Sequence, residues 1–400
     1  MVKSQRTSHS KKARHVAIFV DSTGNYGRGL LEGIADYVDS HVPWSLFIEP
    51  KATGRFAPAW LHRWHGDGVL AFIEDPHVAA KLRELNIPTV ETYGHVLDLR
   101  LPWVGNDDDA IGRMGARHFL ERQFEHFAFS GYPSQSWVRQ RRTGFVAALK
   151  EAGHECVCRN HPRAFSTLKT WEQSQQRLAR WLQSLPKPVG LMACSDRHAR
   201  NVLDACHRAG ILVPDEVAVL GTDNDESICR LLNPPLSSVA DNPRRIGYEA
   251  AALLDQIMAA TVKPSQVKPR LIPPKGIVTR RSTDMMVTED KEVAEALHFI
   301  REHAHENVDV NTLLRELSVS RSTLYRRFQK AVGRSPHEQI VHVRLERVKE
   351  MLTQTSLPLS AIALRCGFEY TEYLVAVFKQ KIGMTPGQYR KAHRPLSKTS

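Results

Sequence analysis

The stretch SVSRSTLYRRFQKAVGRSPHEQ, residues 318–339, is followed fifty positions later by FEYTEYLVAVFKQKIGMTPGQY, residues 368–389, with the same Leu, Phe, Gly and Ser/Thr-Pro punctuation. In the first copy Leu324, Phe328 and Val332 fall at i, i+4 and i+8. That spacing is one apolar stripe on a helix, and it leaves Arg321, Ser322, Tyr325, Arg326 and Gln329 on the opposite face. VNTLLREL at 310–317 reads as a shorter helix before it, with a tight turn at Ser318 and Val319. The pattern is a helix-turn-helix with a basic, outward second helix. In the second copy Leu374, Phe378 and Ile382 repeat the stripe, and LSAIALRCGF at 359–368 supplies the first helix with Gly367 in the turn.

Punctuation after each copy is equally regular. Gly333 and Gly383 are placed to stop the second helices in the left-handed conformation. Ser335-Pro336-x-Glu338 and Thr385-Pro386-x-Gln388 read as capping boxes with Pro at the first helical position. The helix after the first box carries Val341, Leu345, Val348 and Leu352 at steps of four, three and four. It is expected to bridge the copies rigidly and to hold the two outward helices about one turn of duplex apart, roughly 10 bp. A helical bundle that binds protein or only dimerises is the bland alternative.

Charge separates the two. The chain has 400 residues and a net charge of +12. The excess is +5 over residues 1–14, zero over 15–290 and +7 over 291–400. A neutral body with a basic end places the contact with a polyanion in the last part, which favours duplex DNA. Residues 1–14 are expected as a disordered basic leader.

Residues 15–282 alternate short β-rich runs with amphipathic stretches. Strands are expected at 15–20, 44–48, 68–73, 88–92, 103–105, 126–130, 190–194, 217–221 and 237–240. Helices are expected at 27–38, 107–121, 136–152, 172–185, 196–209 and 244–260. Such alternation predicts an α/β architecture of parallel sheets flanked by helices, and the length asks for two lobes. An all-α domain with two helix-turn-helix motifs follows at 291–395, after a linker at 283–290. The chain is expected to cross between the lobes near Asn106 and again at 238–241.

Ligands of open parallel sheets sit beyond the carboxyl ends of the strands. There the sequence reads VDSTGNYGR, GNDDDA, SDRHA and GTDND, beginning at Val20, Gly105, Ser195 and Gly221. One such Asp is most simply a helix cap. Four acidic or amide-rich strand ends facing one crevice suit a ligand with many hydroxyls, and Arg141 in RQRRTGF adds a bidentate donor.

Enzyme signatures are thin. STGNYGRG lacks the Lys-Ser/Thr ending of a phosphate-binding loop and the GxGxxG spacing. His62 and His65 have no third ligand in register, and no GxSxG or HExxH run occurs. No cofactor and no metal are expected. Of six cysteines only Cys156 and Cys158 are close, which fits a reducing cytoplasm rather than a disulfide framework. No apolar run approaches the length of a membrane span, so a cytoplasmic, nucleoid-associated protein is expected.

These runs also carry a resemblance. The paired helix-turn-helices, with CGFEYTEYLVAVFKQKIGMTPGQYR the most specific stretch, resemble the AraC/XylS DNA-binding domain. SDRHARNVLDACHRAGILVPDEVAVLGTDNDE and SSVADNPRRIGYEAA resemble the LacI/GalR type of periplasmic-binding-protein-like sensor. Joined in this order, with FIEP, GDGVLA, RLARWLQSLP and RRSTD, they are similar to the XylR-type family of xylose operon activators. The resemblance implies a regulator in which a small sugar, D-xylose, binds between the lobes and controls the grip of a homodimer on its DNA operator, with RNA polymerase as a further contact. It implies effector contacts at Arg141, Asp196 and Asp223, with Asn224, Asp21 and Tyr26 beside them. It implies base reading by Arg321, Ser322, Tyr325 and Arg326. Where relatives carry an Arg in the second copy this chain has Ala376, beside Thr371, Glu372, Val375 and Lys379. That half is left either to read bases or only to grip the backbone. The same build sensing another small molecule, and an enzyme using the cleft, stay open as alternatives.

Overall fold

The run VAIFV at 16–20 shows how the first part folds. Side chains alternate along a strand, so Val16, Ile18 and Val20 enter one apolar core while Ala17 and Phe19 enter another. A sheet buried on both faces needs helices on both sides. The computed structural model describes residues 13–41, 43–49, 61, 63–73, 75–94, 100–161, 168–288, 290–306 and 308–393. The chain divides into two compact units, Met1–Asp284 and Met285–Ser400. Most of the expected leader, Glu289 of the expected linker, His62 and the last residues to 395 lie outside the described residues.

The first unit runs β1 (Arg14–Phe19), α1 (Asn25–Ser40), β2 (Trp44–Glu49), β3 (Gly68–Ala71), α2 (Pro76–Glu84), β4 (Thr89–Glu91), β5 (Val104–Asn106), α3 (Asp108–Leu120), β6 (His126–Gly131), α4 (Ser136–Glu151) and β7 (Cys156–Asn160). It continues through α5 (Leu168–Ser184), β8 (Val189–Ala193), α6 (Asp196–Arg208), β9 (Val217–Thr222), α7 (Glu226–Leu231), β10 (Ser237–Ala240), α8 (Pro243–Met258), β11 (Arg270–Ile272) and β12 (Gly276–Val278). One parallel sheet has the order β2-β1-β3-β4. The other has the order β12-β10-β9-β8-β6-β7, parallel except for β12, and β11 pairs with β5.

These are two lobes. Helix α8 follows β10 of the second sheet but packs on α1, so its Ile246 and Leu254 share a core with Val16 and Leu30. The chain therefore passes between lobes after β5 and after β10, as the sequence suggests, and a third time between β11 and β12, where the Pro-rich run 262–275 hides a strand. Every expected strand is present within a residue or two. Strands β7, β11 and β12 and helices α2 and α7 were not foreseen. Strand β7 lies at a sheet edge with Val157 exposed, so it lacks the buried alternation that marks a strand. Ser282 and Thr283 are wholly buried in the first unit, and Thr283 is the first residue of the expected linker.

The second unit runs α9 (Lys291–His303), α10 (Val310–Leu317), α11 (Arg321–Val332), α12 (Pro336–Gln354), α13 (Leu359–Arg365), α14 (Thr371–Ile382) and α15 (Pro386–His393). Ser318 takes φ 52° in the first turn and Gly367 φ 77° in the second. Gly333 and Gly383 end α11 and α14 in the left-handed region. Both capping boxes close: Ser335 with Glu338, and Thr385 with Gln388. Each copy has its own core, around Leu324 and Phe328 with α9, and around Leu374 and Phe378 with α12.

The bridge differs from expectation. Val341, Leu345, Val348 and Leu352 all enter the second core, while Ile340 enters the first. Arg344 joins the copies: its Nε donates to Ala304 O at 2.9 Å and its Nη2 to Val308 O at 2.8 Å, and its guanidinium lies 5.9 Å from the Phe368 ring centre. Gly367 is obligatory there, since a Cβ would stand 2.2 Å from Ala304 O.

Candidate functional site

The strand ends of the two lobes open on a cavity of about 280 Å³, lined among others by Asp21, Tyr26, Asn106, Arg141, Asp196 and Asp223. That is the lower end of the range for small-molecule sites, which suits a ligand of few atoms. Arg141 sits at its centre. Helix α4 delivers it and α3 delivers its partner Asp108, because Gly112 and Gly144 let the two helices touch. A Cβ on Gly112 would stand 2.0 Å from Arg141 O, and one on Gly144 2.2 Å from Asp109 O.

Arg141 Nε donates to Asp108 Oδ1 at 2.8 Å, and Nη1 to Cys194 O at 2.7 Å and Asp223 Oδ1 at 3.1 Å. Its guanidinium lies 4.7 Å over the Trp137 ring. Burial works against its charge, yet Asp108 and Asp223 hold its pKa above the ordinary value. For the acids the balance is reversed. Burial pushes Asp108 up to about 6 and raises Asp223, with Arg141 opposing in both cases. Two guanidiniums, those of Arg141 and Arg197, face five aspartates along the cavity wall.

The expected contacts divide. Asp21, Tyr26, Arg141, Asp196 and Asp223 line the cavity. Tyr26 is a wall: its hydroxyl donates to Thr92 O at 2.6 Å and its ring meets Phe72 edge-on. Asp21 Oδ1 accepts from the Thr23 N–H at 3.0 Å and from its hydroxyl at 2.6 Å. Asp196 is only 1% exposed, and its carboxylate accepts from Ser238 Oγ, Asp225 N and Cys229 Sγ at 2.6, 2.8 and 3.3 Å. Burial lifts its pKa to about 8. It clamps α6 to the ends of β9 and β10 more than it offers itself to a ligand. Asn224 corrects the sequence reading. It does not line the cavity, and its Oδ1 accepts from Arg280 Nη2 at 2.9 Å.

Other residues were missed. Asn106 and Asp241 end β5 and follow β10, at two lobe crossings, and Asn106 Oδ1 and Asp241 Oδ2 are buried with no hydrogen-bond partner. Burial raises the Asp241 pKa well above the carboxylate range, with Asp223 adding to it. Asn106 lies in the GNDDDA strand end that the sequence places at the crevice but was not named as a contact, and Asp241 follows β10 by the same rule. Phe72 and Tyr93 stack at 3.8 Å, and Trp137 Nε1 donates to the Tyr93 hydroxyl at 2.9 Å. No sequence pattern joins these three aromatics. Tyr132 completes that wall against His198, whose pKa burial lowers to about 3, so the imidazole is neutral. Among the described residues no cluster of His, Cys, Asp or Glu fits a metal ion, and no helix is long and apolar enough to cross a membrane.

In the second unit Arg321, Ser322, Arg326 and Gln329 are exposed on α11. Tyr325 is half-buried against the first core, which corrects its expected outward place. Arg321 Nη2 donates to Asn311 Oδ1 at 2.6 Å, and Arg327 pairs with Asp290 and Glu292. On α14 Glu372 and Lys379 are exposed, and Thr371 and Val375 half-buried. Tyr370 and Tyr373, exposed by 62% and 46%, were not singled out from the sequence.

Family models match in three stretches: an XylR N-terminal domain at 15–98, a periplasmic binding protein-like domain at 116–283 and a helix-turn-helix domain at 313–392. The chain is similar to the xylose operon regulatory protein of Escherichia coli K12, 32% identical over 387 residues that cover 95% of this chain and 97% of that one. The Haemophilus influenzae protein of the same name is 32% identical over 94% and 97%. The solved structure of the xylose-binding transcription activator xylR is 31% identical, with a TM-score of 0.73 over 96% of this chain and all of that one. The CelR–cellobiose complex, 20% identical at a TM-score of 0.55 over 68% of this chain and 85% of that one, shares the fold of the sensor. The relatives are regulators and not enzymes, and the chain belongs to the family of xylose operon regulatory proteins, sugar-responsive DNA-binding transcription regulators that join a periplasmic-binding-protein-like sensor to an AraC-type helix-turn-helix domain.

Proposed function

We propose that the cavity takes D-xylose, and that its occupancy controls how a homodimer holds its DNA operator through α11 and α14 and contacts RNA polymerase. What supports the sugar is the chemistry of the wall. Asn106 Oδ1 is a buried acceptor in want of a donor, and a ligand hydroxyl supplies one. Arg141 Nη2 is free of the bonds that occupy Nε and Nη1, and Asp223 and Asp21 accept beside it. Phe72, Tyr93 and Trp137 offer a flat apolar face to the C–H side of a pyranose ring. Five aspartates against two arginines along the wall disfavour sugar phosphates and sugar acids.

On the DNA side, Arg326 is the residue best placed to reach a guanine edge, with Arg321, Ser322 and Gln329 beside it. Thr371, Glu372, Val375 and Lys379 face the duplex from α14. Ligand control requires that the sugar prefer the closed arrangement of the lobes by a few kcal/mol. The test is calorimetry of the full chain against a panel of neutral pentoses and hexoses and D-xylose 5-phosphate. Gel shifts with and without D-xylose follow, on a duplex that the protein selects from a random pool. Binding of D-xylose but not its phosphate, with a sugar-dependent change in DNA affinity, is the expected result. Unchanged DNA affinity and bending at saturating sugar would refute ligand control.

A further inference from the structure

Asn224 does not reach the cavity, and the contacts it makes lead elsewhere. Asp223 and Asn224 are consecutive residues at φ 102° and 46°, a left-handed corner that side chains avoid unless the surroundings enforce it. Asp223 faces the cavity, and the corner is held from behind. The Asn224 N–H donates to Ser238 Oγ at 3.0 Å, and Arg280 Nη2 donates to Asn224 Oδ1 at 2.9 Å. Arg280 Nη1 donates to Leu236 O at 2.8 Å, and its carbonyl accepts from Ser237 Oγ at 2.7 Å.

From Ser237 the bonds run on to the last residues of the unit. The Ser237 N–H donates to Ser282 Oγ at 2.8 Å, and Ser237 Oγ accepts from Thr283 Oγ1 at 2.8 Å. Ser282 Oγ donates to Val219 O at 2.6 Å, in the strand that ends at the corner. His118 Nε2 lies 2.8 Å from Thr283 Oγ1, and Arg122 Nε donates to Thr283 O at 3.2 Å. Ser237, Ser238, Ser282 and Thr283 are all 0% exposed, so water is not at hand to replace a broken bond. A network of that kind exchanges one complete set of partners for another rather than stretching by degrees.

We propose that Arg280 is the positioning residue that couples the cavity to the segment on which the sensor unit ends: its guanidinium fork ties the strained Asp223–Asn224 corner to Leu236 O, and its backbone carbonyl and N–H hold Ser237 Oγ, from which the bonds run to Ser282 and Thr283. The proposal rests on the sugar-controlled reading above. A ligand hydroxyl on Asp223 moves the corner, Arg280 follows Asn224 Oδ1, and the hydroxyls of Ser237, Ser282 and Thr283 re-pair. A lysine keeps the charge but serves only one of the two carbonyl acceptors that the guanidinium spans.

The experiment uses the full chain with Arg280→Lys, Asn224→Ala and the double variant. Binding of D-xylose is measured by calorimetry, and its effect on affinity for the selected duplex by titration. Coupling between sites commonly amounts to about 5–150-fold. The expected result is a D-xylose Kd within about 3-fold of the parent while the effect of D-xylose on DNA affinity falls below about 2-fold, the double variant being no worse than either single one. Undiminished coupling overturns the proposal. So does a D-xylose Kd that weakens in step with the coupling, which would make Arg280 only a prop of the cavity. Asn224→Ala removes a single acceptor at a partly exposed position, so its result decides if Arg280→Lys fails to fold. A parent protein whose DNA affinity ignores D-xylose would instead sink the functional reading, a distinct outcome.

Discussion

The two helix-turn-helix copies share a skeleton and little of its surface. Leu324, Phe328, Gly333, Ser335 and Pro336 return at 374, 378, 383, 385 and 386 as Leu, Phe, Gly, Thr and Pro, and the structure uses each pair alike. On the outward faces the same offset sets Ala376 against Arg326, Glu372 against Ser322 and Tyr370 against Ser320. The turns differ too, spanning 318–320 in the first copy and 366–370 in the second. Duplication fixes what a helix must bury, while what it shows is free to diverge. The first copy presents guanidinium groups. The second presents Tyr370, Tyr373 and Leu364, the last 75% exposed.

If the skeletons are equivalent, the largest effects should be equal. Phe328 and Phe378 are both fully buried, each in its own core. Phe328→Ala and Phe378→Ala should each cost about 3–5 kcal/mol, and denaturant unfolding of each variant should lose its own copy first. A deficit confined to one would break the equivalence. The joint comes next. Arg344→Met leaves two carbonyls without their donors, so a loss of about 1–3 kcal/mol is expected. Hydrogen exchange should show freer amides around 304–308 and 366–368, while the interiors of α11 and α14 stay protected.

That joint also marks where the sequence stops being readable. Period and punctuation disclosed α10, α11, α13 and α14 because a buried stripe constrains every third or fourth residue. Arg344 had no such signature: its partners are backbone carbonyls forty and thirty-six positions away, invisible to any local pattern. The sensor behaves the same way. Its strand ends exposed Arg141, Asp223 and Asp196, since topology puts strand ends at the crevice. Asn224 was misplaced by one residue because the corner's left-handed turn carries its side chain away from the cavity. Asn106 and Asp241 read as crossings of the chain, which they are, and their unpaired oxygens become visible only when the lobes are assembled around them.

The surfaces should separate where the skeletons agree. Arg326→Ala is expected to weaken binding to the selected duplex by about 1–3 kcal/mol and to relax specificity at one base pair. Glu372→Ala should change affinity by less, and with no shift in the preferred sequence if the second copy only grips the backbone. Competition among duplexes altered at single positions distinguishes the two. A specificity change in Glu372→Ala as large as that of Arg326→Ala would make the copies equal readers.

The smallest effect is the most diagnostic. Helix α11 begins at Ser320, whose hydroxyl accepts from the Thr323 N–H at 3.3 Å, whereas α14 begins at Tyr370 with no side-chain cap. A missing cap costs about 1 kcal/mol. Ser320→Ala should therefore lower the stability of the first copy by about that amount, and Tyr370→Ser should raise that of the second by a similar amount. A natural chain that forgoes so cheap a gain has a use for the aromatic ring. Tyr370→Ser is accordingly expected to gain stability and lose DNA affinity together, the trade found where a functional surface overrides a local preference. If the variant binds DNA as tightly as the parent while melting higher, the ring plays no part in the interface, and the second copy's outward face on that side is only an uncapped helix end.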